Sequence, residues 1–217
     1  MYKIHKAHEA MSSKKRVLKA INHEKPDRVP INYMTNPGID GRLKEALGID
    51  NNDTEGLRLA LGVDFRSAGA RYTGPVLHKT DRDDRRVDPL FGYVTRYAEN
   101  KSGGYWDYCD FPLIDASLEE AEKWLFPDPN NFDYDELCET VKARQDFALH
   151  LGSPGLGCII NTIGFLRGME QTLVDLITDD PAGLTLVDKL MNYQLKVLER
   201  ELEKVGNFID FVWMAKI

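Results

Sequence analysis

An α/β fold of strand-helix units around a parallel sheet is the class this 217-residue sequence predicts. Strand and helix signals alternate from Ser117 onward, and the short apolar runs at 158–163 and 208–214 have the composition of strands buried on both faces. Capped amphipathic segments stand between those runs. With 42% hydrophobic residues the chain can bury a core, most simply as one domain over residues 1–217.

The elements follow in order. Val17, Leu18 and Ile21 share one helical face behind Ser13, so a serine-capped leading helix is expected within 12–25, ended by Lys25-Pro26-Asp27. Val29, Ile31 and Tyr33 alternate in the strand period, with Pro30 at the start, where a missing donor is tolerated. Helices are expected over 38–47 and 53–61, the second opened by Asn52 with Glu55, and Gly48 and Gly62 stop them. Residues 63–113 are rich in aromatic and β-branched side chains. There Phe91 to Tyr97 and Tyr105 to Tyr108 predict a β-hairpin across an Asn100 to Gly104 turn.

Further along, Ser117 with Glu120 and Asp133 with Glu136 are capping boxes for helices at 117–124 and 134–150. The run Cys158 to Ile163 is expected as a buried strand. Leu166, Met169, Leu173 and Ile177 form one inward helical stripe, and Leu184, Val187, Met191, Leu198, Leu202 and Val205 form another behind Asp180-Pro181. Phe208 to Met214 is expected as the next strand.

Composition narrows the partners. Twenty-eight basic residues against 35 acidic ones give a net charge of -7, and the basic residues are interleaved with acids, so nucleic acid and anionic membranes are not expected. No run approaches the ~18 apolar residues of a membrane span, and no signal-peptide h-region follows the N-terminus, so a cytoplasmic location is expected. Cys109, Cys138 and Cys158 lie at wide spacings without a metal-ligand pattern and are expected to be buried thiols.

Lys15 to Pro30, a helix leading into Pro26-Asp27-Arg28-Val29-Pro30, resembles the N-terminal signature of the uroporphyrinogen decarboxylase family, which includes corrinoid and coenzyme M methyltransferases. Ile163 to Gln171, with Leu176, Asp179-Asp180-Pro181 and Asp188-Lys189-Leu190 behind it, is similar to the same family. Leu61 to Arg66 and the aromatic hairpin resemble its methyltransferase-like branch. The resemblance implies a TIM (β/α)8 barrel of the uroporphyrinogen decarboxylase type. Such a barrel usually needs ~250 residues, so this chain is expected to be incomplete at its C-terminus, with 63–113 laid over the barrel mouth. A strand edge left unpaired at the end favours homo-oligomers.

The family's decarboxylases bind a polycarboxylate tetrapyrrole through an arginine-rich stretch after the first strand, where this chain has Tyr33 to Arg42. Several fixed cations are needed for such a substrate, so the departure points to the methyltransferase-like branch. That branch transfers methyl groups between a small methylated substrate or a corrinoid protein and a thiol. Its zinc ligands lie late in the barrel, so the resemblance implies no cofactor within this chain and zinc only in a full-length homologue.

Barrel chemistry sits beyond the C-terminal ends of the strands, which nominates Tyr33, Asn36, Asn161 and Thr162 for substrate binding. Arg66 and Arg71 either hold an anionic substrate or pair with neighbouring acids. Arg167 either pairs with Glu170 at i,i+3 or binds an anionic ligand at the mouth. Asp64 is the candidate catalytic residue by resemblance to the decarboxylases' aspartate, with a capping or loop carboxylate as the ordinary alternative. His78 and His150 are isolated, His150 at the end of an expected helix. The competing readings are methyl transfer, cofactor-free decarboxylation of a porphyrinogen, and a non-catalytic barrel fragment.

Overall fold

The computed structural model describes residues 9–100, 103–152 and 158–214. Its first elements are helices α1 (Ser13–Ile21), α2 (Pro37–Leu47) and α3 (Thr54–Leu61), then strands β1 (Phe65–Ala68), β2 (Arg71–Tyr72), β3 (Arg86–Val87), β4 (Val94–Asn100) and β5 (Gly103–Cys109). There follow α4 (Leu118–Lys123), β6 (Phe132–Asp133), α5 (Tyr134–Lys142), β7 (Ala148–Gly152), α6 (Ile159–Arg167), α7 (Met169–Thr178), α8 (Pro181–Val205) and β8 (Phe211–Trp213). The described residues divide into two compact units, each assembled from separated stretches of chain.

The first unit takes the described residues up to Gly69, with Leu137–Leu151 and Val205–Val212. Its sheet has the order β1-β7-β8. β1 and β7 run parallel, with Phe65 opposite Ala148 and Ala68 opposite Leu151. All four residues from Ala148 to Leu151 are buried, the burial expected of a central strand covered on both faces. Val17, Leu57, Leu137 and Val141, from three helices of this unit, are buried as well. α1 starts where the Ser12 hydroxyl accepts from the Lys15 N–H, one residue before the expected cap. α3 starts at Asp53 rather than Asn52, and Gly48 and Gly62 end α2 and α3 in the left-handed conformation that glycine adopts without a Cβ clash.

The second unit takes Ala70–Glu136 and the described residues of 152–204. Its main sheet is the antiparallel meander β3-β4-β5, in which Val94 pairs with Cys109 and Tyr97 with Trp106. The expected aromatic hairpin is this β4-β5 pair. A core of Leu113, Ala121, Ile163, Leu166, Leu186 and Leu190 gathers the loop before α4 with α4, α6 and α8. Phe91, Tyr93 and Trp124 pack against it from the meander side and the end of α4. The Ser117 and Glu120 capping box is formed in full.

Several expectations are overturned. Among the described residues the strands form sheets of two or three members and no closed ring, so the TIM (β/α)8 barrel is not the architecture. Residues 29–33 do not pair as a strand, because the Ile31 N–H donates to the Asp64 carboxylate and the Ile31 C=O accepts from the Asp64 N–H. The apolar run 158–163 is not a strand but the start of α6, which buries Ile163 and Leu166 at helical spacing. Short apolar runs fit either period, and length alone misassigned this one.

The expected 134–150 helix stops at Lys142, where the Gln145 amide caps the Val141 carbonyl. Its former C-terminal part is β7, so His150 lies in a buried strand, stacked on Phe211 at 5.4 Å, rather than at a helix end. α7 turns Thr172 and Asp175 inward and leaves Leu173 and Ile177 exposed, against the expected stripe. Cys109 is a buried thiol, whereas Cys138 and Cys158 are half-buried. No helix of the described residues is long and apolar enough to cross a membrane.

Candidate functional site

Asp64, the candidate catalytic residue, closes the loop before β1 and has no exposed surface. Its Oδ1 accepts from Ser13 Oγ at 2.8 Å, Arg16 at 2.6 Å and Arg28 at 3.1 Å, and its Oδ2 from Arg28 at 2.6 Å and the Ile31 N–H at 2.8 Å. Burial pushes this carboxyl's pKa up, but the two guanidinium groups, the Ser13 hydroxyl and the Ile31 amide together hold it below the ordinary range. Arg16 turns the rest of its fork onto Asp27 at 2.6 and 2.9 Å. The Pro26 to Pro30 segment is thereby explained: Asp27 and Arg28 are halves of a buried ion-pair network that ties α1 to the start of β1. Asp64 is a structural hub there, with both oxygens engaged by the protein.

Arg167 is equally committed. At the end of α6 it is buried, and it donates to the Leu113 and Ala116 carbonyls at 3.0 Å each, to both oxygens of Asp175, and to Asp180 at 3.1 Å. Gly183 lies so close to Asp175 that a Cβ there would meet its carboxylate at 2.3 Å. Asp180 also receives the Ala182 and Gly183 N–H groups at the start of α8. Neither the Glu170 pair nor an anion-binding role at a barrel mouth is what this geometry serves.

The other nominated residues are dispersed. The Tyr33 hydroxyl donates to Asp40 at 3.2 Å, and Asn36 is the exposed N-cap of α2, accepting from the Ile39 N–H at 2.9 Å. Arg66 is buried against Glu55 in the first unit and lies 3.9 Å from the Phe147 ring centroid. Arg71 is exposed and bonds Glu136 at 2.8 Å.

Asn161 and Thr162 do come together, in the second unit. They line a cavity of about 290 Å³ with four aromatic side chains, Phe91, Tyr93, Tyr108 and Phe165, and with Cys158. Tyr108 and Phe165 stack with centroids 3.5 Å apart and planes within 4°. Tyr93 meets both edge-on, at 5.4 Å from Tyr108 and 6.0 Å from Phe165. The Thr162 hydroxyl donates to the Cys158 carbonyl at 3.2 Å, which leaves its oxygen as an acceptor. Among the described residues no lysine, arginine or histidine lines this cavity.

The loop before β4 aims two of those rings. Asp88 accepts from the Leu90 and Phe91 N–H groups at 3.0 and 2.7 Å, which fixes the turn that carries Phe91 and Tyr93. Gly92, at φ 83°, is required at this point, since a Cβ would lie 2.5 Å from Trp124 and 2.8 Å from His78. Burial raises the Tyr93 phenol's pKa far above its ordinary value, with Asp88 adding to the rise, and Tyr108 shifts up for the same two reasons.

In the sequence Phe91, Tyr93 and Tyr108 mark a hairpin, and Phe165 falls within the Ile163 to Gln171 resemblance. A usable signal exists: Cys158, Asn161, Thr162 and Phe165 are spaced i, i+3, i+4, i+7, one face of a helix. It is invisible while 158–163 is taken for a strand. Among the described residues no group of three His, Cys, Asp or Glu side chains is arranged to hold a metal ion. Comparisons with protein-family models, with curated proteins and with solved structures found no match to this chain.

Proposed function

We propose that this chain belongs to an enzyme of the uroporphyrinogen decarboxylase-like, methyl-transferring kind, and that the aromatic cavity of the second unit binds its small methylated substrate. The cavity lining carries the proposal. Four rings offer apolar contact to methyl groups, and the Asn161 amide and Thr162 hydroxyl at α6 supply the few polar contacts that orient a ligand in such pockets. A volume of about 290 Å³ suits a molecule of modest size.

The rival decarboxylase reading needs fixed cations for several carboxylates. Arg16, Arg66 and Arg167 are buried and paired inside the protein, and none of them lines the cavity. In methyl transfer the bond between the methyl carbon and its heteroatom breaks, the electron pair stays on the heteroatom, and the methyl group passes to a corrinoid or a thiolate. The side chains here bind and orient the donor. Zinc, which the family resemblance implies for a full-length relative, finds no set of donors among the described residues.

The test offers the chain methylated amines, ethers and thioethers with cob(I)alamin and follows methylcobalamin by its absorbance. The expected result is transfer that Phe165→Ala weakens at least tenfold. Carbon dioxide release from uroporphyrinogen in chelator-treated buffer, with no methylcobalamin formed, overturns the proposal.

A further inference from the structure

The second unit has another cavity, of about 400 Å³, and charge gathers in its wall. Lys79, Arg82 and Arg85 reach it from the loop between β2 and β3, and among the described residues Asp110 is the one acid that lines it. Asp110 stands just after β5 at φ 48°, and its Oδ2 accepts from both guanidinium groups, from Arg82 at 3.1 Å. Asp84 accepts from both arginines as well, from Arg82 at 3.3 Å. These two acids hold the forks in place against three cations, which leaves one positive charge in excess. Two donors remain for a ligand. The Arg85 side chain is only 13% exposed, its Nε and Nη1 are taken by Asp110 and Asp84, and its Nη2 has no partner among the described residues. No buried side-chain nitrogen there lacks a partner, so this Nη2 reaches open space. The Lys79 ammonium likewise has no hydrogen bond or ion pair among the described residues. Leu77, Val87, Val94, Pro112 and Trp124 give the cavity an apolar wall. His78 stacks on Trp124 at 4.6 Å and donates from Nε2 to the Leu125 carbonyl at 3.0 Å, which fixes both rings.

We infer that this cavity is a second ligand site, for a small monocarboxylate with an apolar body. The carboxylate is met by Arg85 Nη2 and the Lys79 ammonium, and the body lies against Trp124 and the aliphatic wall. Hydrogen bonds between ionised partners are the strong ones, and a carboxylate has an oxygen for each of the two donors. One such group also balances the single excess positive charge, whereas a phosphate dianion would add uncompensated negative charge beside Asp84 and Asp110. An apolar wall with a few fixed polar groups is the usual lining of a small-molecule site. The cavity shares no lining residue with the aromatic one, so the inference does not depend on the methyl-transfer reading.

The experiment is isothermal titration of the full chain at low salt with benzoate, with uncharged benzyl alcohol and with phenyl phosphate. Benzoate is expected to bind roughly tenfold tighter than benzyl alcohol, the preference that charge-assisted hydrogen bonds provide. Lys79→Met should weaken benzoate several-fold and leave benzyl alcohol unchanged. Lys79 is exposed, so this variant should keep the fold, which far-UV circular dichroism checks. Arg85→Lys keeps the charge but cannot bond Asp84, Asp110 and a ligand at once, and it should weaken benzoate in the same way. Equal affinity for benzoate and benzyl alcohol overturns the inference, as does tighter binding of phenyl phosphate than of benzoate. Benzoate binding that Lys79→Met leaves unchanged places the ligand elsewhere and overturns it too. Binding of none of the three does the same.

Discussion

Replacing Asp64 by alanine strips the shared acceptor from two arginines, and Arg16, one of them, has no exposed surface. Arg16 keeps its ion pair with Asp27 but loses the acceptor of a buried N–H, a loss of about 1–3 kcal/mol, so Asp64→Ala should lower stability in urea denaturation by that amount. An unchanged denaturation midpoint would restore a catalytic assignment for Asp64. The pH dependence has a definite sign. The folded-state pKa is depressed, so the unfolded carboxyl takes up a proton first as pH falls. The stabilisation is therefore fully present above about pH 4 and fades below it, and wild type and Asp64→Ala should converge in stability towards acid. At this scale, residue types were legible in the sequence and their partners were not. Asn161 and Thr162 were expected at the end of a strand and lie on α6, whereas Asp64 and Arg167 looked chemical because buried charges are rare and their counter-ions lie far off in sequence. Asp27 and Arg28 were read as a signature without the network that explains it.

Helix ends were the best-marked elements, since a cap is a local contact. Ser117 shows what such a signal implies: it forms a reciprocal box with Glu120 at the head of the six-residue α4. Ser117→Ala should cost about 1 kcal/mol, the usual penalty for losing a side-chain cap. Hydrogen exchange should report faster exchange in α4, and an unchanged rate would mean the box contributes nothing. Strands were harder. The hairpin β4-β5 was readable because its partners are neighbours in sequence and its aromatic residues favour sheet. The β7 segment was read as helix and the first turn of α6 as strand, for one reason: a run of four to six apolar residues fits either period, and only tertiary partners decide. The α6 misreading also hid the pocket, because Phe165 shares a face with Asn161 and Thr162 only on a helix.

For the whole molecule, charge was readable and topology was not. A net charge of -7 and a sequence pI of about 5.3 predict a solubility minimum near that pH, with turbidity clearing on the alkaline side as the acidic excess returns. A turbidity maximum above neutrality would contradict this. The expected ring of strands failed because β-partnership is a long-range property. β1 pairs with β7, and Ala148 lies 80 residues after Ala68. A translating ribosome adding ~5–20 residues per second leaves β1 without its neighbour for roughly 4–16 s. Throughout that interval the unpaired backbone edge of β1 is available to a holdase chaperone, or to a nascent chain on the same polysome. The meander β3-β4-β5, whose strands emerge one after another, is under no such wait.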